Sequence, residues 1–594
     1  MCGIVGYIGQ KPAQPILINS LNRLEYRGYD SCGIATMNHR LDVTKCVGRV
    51  QNLTSMLSES DATVGIGHTR WATHGSVNSD NAHPHVDCQS SYAVVHNGII
   101  ENYDRLRRML QQEGHVFRSD TDTEVIPHLI EKFFKGDLEE AVRLALAVVE
   151  GSYAIIAIAD GMRQLVAARR DSPLVIGTGD HEYFIASDVS GILDGTDSAV
   201  YLEDGDICSI TDSGMSITNG GNGVRRNAQL IPWTAEQVKK DGYQHFMLKE
   251  IHEQPRVIAE TIAGRVSITV PSVKLEIKVP AEFRSIILTA CGSSYHAALV
   301  GEQLISRLTR VNTRAVIASE FEQIEATLNK DWVIGITQSG ETADTLKALK
   351  KAKAAGCDTL AVVNVLGSTA TRVCDQSFFL RAGPEVSVAA TKTFMAQLTA
   401  MYLIALSTGV NDSSTGSRFI SELKLLPEKL RQILDKEAEI ADMGARFSRY
   451  PSMFVVARGI NCAVAMEGAL KIKEVSYVHA EAHPAGELKH GPFALLGPNM
   501  PVIALAPIDE TYQLMHSTLK EIKARGSPLL AIIDERDCDT AQVADHTIKI
   551  PTSNPLFSPM LNSMVLQLLS YYIARSRGCP IDLPANLAKS VTVV

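Results

Sequence analysis

Two kinds of apolar pattern divide the chain. Through about residue 222, short β-branched runs such as Tyr92-Ala93-Val94-Val95-His96 and Tyr153-Ala154-Ile155-Ile156-Ala157-Ile158 sit between Gly, Asn and Asp. Runs of this kind read as buried strands. A helical pattern interrupts them over Asp122 to Phe134, and the mixture predicts an α+β domain with packed sheets. Asn219-Gly220-Gly221-Asn222-Gly223 is turn-rich and reads as a boundary, with 223–242 as a linker. Beyond it, apolar runs end in turns and lead into helices, and the pattern occurs twice. Ser285-Ile286-Ile287-Leu288-Thr289-Ala290-Cys291-Gly292 is repeated by Ser452-Met453-Phe454-Val455-Val456-Ala457-Arg458-Gly459. The run Val333 to Thr342 is repeated by Val502 to Thr511, in nearly the same register. Strands alternating with helices predict two doubly wound parallel sheets, over 243–412 and 413–580, before a tail at 581–594. Ligands of such sheets sit at the carboxyl ends of the strands.

Length and charge narrow the class. A chain of 594 residues exceeds any single small module. Lys+Arg of 57 against Asp+Glu of 66, with no basic run, speaks against nucleic acid and anionic membrane as partners. No stretch approaches the ~20 apolar residues that span a bilayer. Met1-Cys2-Gly3-Ile4-Val5-Gly6 carries no secretory pattern, and the 11 cysteines form no Cys-x-x-Cys pair. Reduced thiols in a cytoplasmic enzyme are expected.

Cys2 is the sharpest single feature. Removal of Met1 would place its thiol beside its own α-amine, a base that titrates close to neutral pH. A small buried hydrophobe is the plain reading of such a cysteine. Gly67-His68-Thr69-Arg70-Trp71-Ala72-Thr73-His74-Gly75 gathers an Arg, a Trp and two His between glycines. His96-Asn97-Gly98 offers an amide and a backbone N–H, the equipment of an oxyanion hole, or a plain turn. Ser119-Asp120-Thr121-Asp122-Thr123-Glu124 opens a helix and reads equally as a cap. His83-Pro84-His85 with Asp87 and Cys88 matches no zinc spacing and reads as a surface loop, so no metal is expected.

Together with Leu24-Glu25-Tyr26-Arg27-Gly28-Tyr29-Asp30-Ser31, these segments resemble the glutaminase domain of class II, N-terminal-nucleophile amidotransferases. The resemblance implies αββα layers over residues 2–222. It implies that Cys2 attacks the glutamine carboxamide while Asn97 and the Gly98 N–H hold the oxyanion. Arg70 would pair with the substrate carboxylate and Asp122 with its ammonium. Trp71, Thr73 and His74 would complete the glutamine pocket, Trp71 as its gate.

In the repeated half, Gln338-Ser339-Gly340-Glu341-Thr342 follows a strand and opens a helix, and Ser293-Ser294 follows the neighbouring one. Hydroxyls with free helix N–H groups make an anion site, against the plain reading of N-caps. No Walker A or Gly-x-Gly-x-x-Gly pattern is present. The second copy reads Pro507-Ile508-Asp509 at the equivalent place, so phosphate there is not expected. It carries instead Glu467, Lys471 and Glu474 on one helical face, among apolar neighbours.

This half resembles the sugar isomerase family. Lys471-Ile472-Lys473-Glu474, Glu487-Leu488-Lys489-His490-Gly491-Pro492 and Asn586-Leu587-Ala588-Lys589 are similar to the isomerising amidotransferases that make amino sugars. The resemblance covers essentially the whole chain. It implies fructose 6-phosphate and glutamine as substrates, glucosamine 6-phosphate and glutamate as products, no cofactor, and a homodimer or higher homo-oligomer. His490 would open the ring, Lys589 would form the imine, and Glu474 with Lys471 would serve the C1–C2 proton transfer. Ser293, Ser294, Thr337, Gln338, Ser339, Thr342 and Val388 would hold the sugar phosphate. Ala390 and Ala585 depart from the family's Ser and Arg. Two other readings stand beside it: another class II amidotransferase, and a sugar-phosphate sensor without catalysis.

Overall fold

The computed structural model describes residues 2–72, 75–231, 233–267, 272–409 and 413–592. They form two compact units, residues 1–239 with 588–594, and 240–587. No helix among the described residues is long and apolar enough to cross a membrane.

The first unit stacks two sheets between helices. Strand Gly3–Ile8 is central in an eight-stranded sheet, antiparallel to Val64–Arg70 on one side and Tyr183–Ala186 on the other. A seven-stranded sheet carries Tyr92–Ile100 paired with Gly151–Ala159. Alternation along each strand assigns the faces. Ile4 and Ile8 meet Val95, Ile156 and Leu165 in the core between the sheets. Val5 and Tyr7 point the other way, onto Leu17 and Leu21 of helix Ala13–Leu24. Val94 and Ile155 face Leu129 and Ala141 of the helices Val125–Phe133 and Leu138–Ala147. These strands are covered on both faces, which is why they read as unbroken apolar runs. The four layers are those the resemblance implied. Gly220 and Gly221, both at positive φ, turn a hairpin that pairs Asn219 with Asn222. Gln229–Leu230 then adds an edge strand beside Ser198–Tyr201. The segment read as the start of a linker therefore carries two short strands of this unit.

The second unit holds the repeat. Each copy is a five-stranded parallel sheet with the same order. In the first it runs Thr313–Ile317, Ile286–Ala290, Trp332–Ile336, Asp358–Val363, Gln376–Phe379. In the second it runs His479–Pro484, Ser452–Ala457, Val502–Ala506, Leu529–Asp534, His546–Ile550. One apolar core runs through both copies, from Leu288 and Met401 to Val455 and Leu566. Its walls are helices Lys392–Ser407 and Ser558–Ser576, which are apolar nearly all round because both are buried.

Helix Glu437–Phe447 crosses Ser558–Ser576 at Gly444, where a Cβ would lie 2.5 Å from the Tyr572 Cβ and 3.1 Å from the Ile573 nitrogen. Backbone cannot yield as a side-chain tip can. Gly444→Ala should cost about 1–3 kcal/mol through overpacking, seen as an earlier denaturant transition of the second unit. An unchanged transition would mean the helices can part freely.

Candidate functional site

In the first unit the central strand delivers Cys2 to its own start. The Cys2 Sγ accepts the Trp71 N–H at 3.2 Å, and Gly3 N donates to Thr69 Oγ1 at 3.2 Å. This seat depends on close approach of the segment around Gly28. A Cβ there would lie 2.8 Å from the Arg70 carbonyl carbon and the Trp71 nitrogen. Asp30 beside it accepts Ala72 N at 2.9 Å, fixing the turn that follows Trp71.

Asn97 Nδ2 donates to the Cys2 carbonyl at 2.9 Å, which leaves the second N–H of the amide unused by that bond. Its Oδ1 faces His68 Nε2 at 3.1 Å, so His68 sets the orientation of the amide. Gly98 has φ +131°, and a Cβ would meet Ser152 O at 2.1 Å. Only glycine fits there. Arg70 is buried at the end of Val64–Arg70, donates to Ser76 O and Gly75 O, and interacts electrostatically with Cys2, Asp30 and Asp122. Buried Asp122 accepts Ile100 N at 2.8 Å. Cys2, Arg70, Trp71, Asn97 and Asp122 are thus linked by these contacts, with Gly98 next to Asn97 on the same strand. Thr73 and His74 lie outside the described residues.

One expectation is overturned. His83, His85 and Asp87 are buried, not a surface loop. His83 stacks on His68 at 4.0 Å, its Nδ1 accepts His96 N at 3.3 Å, and His85 Nε2 bonds Thr121 Oγ1 at 3.1 Å. Burial holds His68 down to about 3 and lowers His83, His85 and His96 as well. They form a neutral imidazole layer beside the Asn97 amide. The supports His68, Thr69, Asp30 and Gly28 lay inside the quoted motifs, but nothing in the sequence gave them these tasks.

In the second unit, strands Ile286–Ala290 and Trp332–Ile336 are parallel neighbours, so their carboxyl ends adjoin. The first leads into helix Gly292–Thr309, bearing Ser293 and Ser294 in its first turn. The second leads into the turn before helix Ala343–Ala354. There Thr337 Oγ1 meets Thr342 Oγ1 at 3.0 Å and accepts Gly340 N at 3.2 Å, while Ser339 Oγ accepts Glu341 N at 3.1 Å. Gln338 O accepts Asn364 N at 3.1 Å. Gly340, at φ +70°, would put a Cβ 2.0 Å from Ser368 Oγ. The turn concentrates hydroxyls and helix-start N–H groups, which suits an anion. Val388 is buried and its N–H is committed to Asp582 O, which leaves only its carbonyl for a ligand.

Helix Asn461–Ser476 of the second copy packs on Gly292–Thr309 of the first. Lys471, fully buried, is bonded to Glu474 and lies 3.5 Å from Glu467. Glu467 also meets His296 Nδ1 at 2.7 Å and takes a bond from Ser293. Burial pulls the Lys471 amine down, but Glu474 and Glu467 more than offset it and hold the pKa above the ordinary lysine range. Burial lifts Glu467, yet Lys471 and His296 keep it below the usual carboxylate range. Ser294 accepts from Gln397 at 2.9 Å. Ser293, Ser294, Lys471 and Glu474 are thus brought together. His490 is not. It is exposed on the short helix Glu487–His490 and, among the described residues, makes no hydrogen bond or ion pair with Lys471 or Glu474. Lys589 is half-buried in the tail that groups with the first unit.

The fold and these sites define a glutamine amidotransferase joined to a duplicated sugar isomerase domain. Family models agree: a glutamine amidotransferase domain matches residues 68–194, and the SIS domain matches 281–407 and 447–576. The chain is 46% identical to the glutamine–fructose-6-phosphate aminotransferase (isomerizing) of Thermococcus kodakarensis and 44% identical to that of Clostridium tetani, over the full length of each chain. The C-terminal domain of glucosamine-fructose-6-phosphate aminotransferase from Francisella tularensis superposes with TM-score 0.54 at 34% identity, covering 58% of this chain and 99% of that one. The chain belongs to the glutamine–fructose-6-phosphate aminotransferase (isomerizing) family.

The imidazole layer sets a pH dependence. Its histidines have folded pKa values below their unfolded 6.5, so the unfolded chain binds more protons below that pH. Stability is complete above pH 6.5 and falls as pH drops, by up to about 1.4 kcal/mol per pH unit for each histidine. For His68 the fall continues toward pH 3. Denaturation of the first unit should therefore need less urea at pH 5 than at pH 7. An equal midpoint would mean the histidines are already charged in the fold.

Proposed function

We propose that this chain converts fructose 6-phosphate and glutamine into glucosamine 6-phosphate and glutamate. The observation that carries the reading is the seat of Cys2, with its thiol on the Trp71 N–H and its carbonyl on the Asn97 amide. With Met1 removed, the α-amine takes the thiol proton as the sulfur attacks the glutamine carboxamide. The tetrahedral oxyanion is met by the second Asn97 N–H and the Gly98 N–H. Arg70 takes the α-carboxylate through its planar fork, and Asp122 takes the ammonium. Trp71 gates the pocket, with Thr73 and His74 as further contacts. Collapse of the intermediate leaves a thioester and releases ammonia, and water then frees glutamate.

At the sugar site the phosphate is held by Ser294, Gln338, Ser339 and Thr342, with Ser293 and Thr337 supporting the same hydroxyl cluster and Val388 contributing its carbonyl. His490 assists ring opening. The Lys589 amine condenses with the C2 carbonyl with loss of water, and ammonia then displaces the lysine from the imine. Glu474, bonded to Lys471, carries the proton from C1 to C2. A homo-oligomer in the cytoplasm remains part of the proposal. A non-catalytic sensor has no use for Cys2, Glu474 and Lys589 in one chain, and a pyrophosphate-dependent amidotransferase has no use for the duplicated sugar isomerase half.

One mass measurement and two variants test the division of labour. Intact mass of active enzyme should lack Met1. Retained Met1 at full activity contradicts the amine as base. Cys2→Ala should lower glutamine hydrolysis at least about 1,000-fold while fructose 6-phosphate isomerisation continues. Lys589→Arg should bind fructose 6-phosphate but lose amination, and borohydride should trap sugar on wild type alone. Near-normal glucosamine 6-phosphate formation by Lys589→Arg excludes the imine route.

A further inference from the structure

Away from both sites, three separate segments of the first unit bring four ligand-bearing side chains to one point. Cys88 follows the short strand His85–Val86. His115 lies just beyond helix Tyr103–Gln112. His128 and Glu131 are three residues apart on helix Val125–Phe133 and share a face. One donor atom from each lies within 4.8 Å of all the others.

The separations are those of ligands around a common centre. Cys88 Sγ is 3.7 Å from His115 Nδ1 and 3.6 Å from His128 Nδ1. The two Nδ1 atoms are 3.3 Å apart. Glu131 Oε2 is 3.0 Å from His115 Nδ1 and 3.6 Å from His128 Nδ1. Tetrahedral zinc, with bonds of about 2.3 Å to sulfur and about 2.0–2.1 Å to nitrogen, puts S···N near 3.5 Å and N···N near 3.3 Å. Hydrogen bonding alone serves the group poorly. Two imidazoles present the same ring atom to each other, and the buried Glu131 Oε2 has no partner of hydrogen-bond geometry.

The surroundings fit a bound cation as well. Val116 N points at Cys88 Sγ at 3.5 Å, as backbone amides do at thiolates. Phe117 covers His128 at 4.4 Å and excludes water. His128 is buried, and its Nε2 lies 3.8 Å from Glu124 Oε1. Glu124 in turn accepts Arg118 N, Ser119 N and Ser119 Oγ at 2.6–2.7 Å, fixing the turn that carries Asp122.

We propose that Cys88, His115, His128 and Glu131 form a structural zinc site that ties the turn before Val125–Phe133 to the sheet. One thiolate, two imidazoles and one carboxylate around a tetrahedron suit zinc over magnesium or calcium, which take oxygen ligands. Binding releases the Cys88 thiol proton to solvent. The histidines bind through Nδ1 and keep their protons on Nε2.

The test uses the full chain, stripped with chelator and reloaded with zinc or cobalt. Wild type should retain stoichiometric zinc through desalting, and the cobalt form should absorb through thiolate-to-metal charge transfer. Cys88→Ser should lose that band while keeping glutamine hydrolysis above the Cys2→Ala background. Cys2→Ala should keep the band. Zinc should raise the thermal midpoint of wild type and leave that of His115→Ala unchanged. A wild-type protein that takes up no metal and gives no charge-transfer band overturns the site. So does a band that persists in Cys88→Ser.

Discussion

A charged amine without water must be held by carboxylates, and the second unit is arranged around one such amine. Moving an ion out of water costs several kcal/mol even after relaxation. Lys471 is therefore tolerable only with Glu474 and Glu467 in place. Glu467 Oε2 is bonded in turn to His296, which stands on a helix of the other copy. The two copies are thereby joined by charge as well as by their common apolar core. The same constraint fixes where Ser293 and Ser294 stand relative to Glu474, because they open the helix that carries His296. Deleting one member would strand the rest as unpaired buried charge, a larger loss than the pair's own net worth.

The first unit meets the burial problem with neutral groups. His68, His83, His85 and His96 are kept uncharged by desolvation and hydrogen-bond to one another's backbone and to nearby hydroxyls. A neutral layer can lie under an oxyanion site without imposing its own field. It does so at the cost of acid sensitivity, whereas Lys471 and Glu467 of the second unit have pKa values displaced away from neutral pH, the amine upward and the carboxyl downward.

Much of this was legible in the chain. Unbroken apolar runs marked the strands because both faces of each sheet are covered, and the repeat marked two sheets of identical order. Cys2, Arg70 and Asp122 stood out because each sits at a strand end or just before a helix, where sequence punctuation is strongest, and Asn97 because a glycine follows it inside its strand. What failed to show depends on register. Thr69 supports Gly3 only because those two residues oppose each other across antiparallel strands. His83 and His85 read as surface because hydropathy detects apolar burial, and they are buried by stacking and polar contacts. Gly220-Gly221 was taken for a break although two glycines at positive φ are also what a tight hairpin requires. His490 was grouped with Lys471 and Glu474 by motif, and among the described residues no hydrogen bond or ion pair joins them.

Duplication explains how one sheet plan serves two tasks. Both copies end the same strand in a turn before a helix, the position where doubly wound sheets take ligands. In the first copy the turn offers Thr337, Ser339 and Thr342 hydroxyls, and Gly340 in the left-handed region lets the chain close against Ser368. In the second, Asp509 Oδ1 occupies the turn, accepting Thr511 N and Thr511 Oγ1 at 2.7 Å. Its own carboxylate satisfies the donors an anion would use, and its charge repels one. The second copy's turn thus leaves fewer free donors for an anion, and that copy carries the buried acid–amine group on Asn461–Ser476. Topology alone cannot separate the two roles, since fold does not carry function. The difference lies in which residue completes one turn.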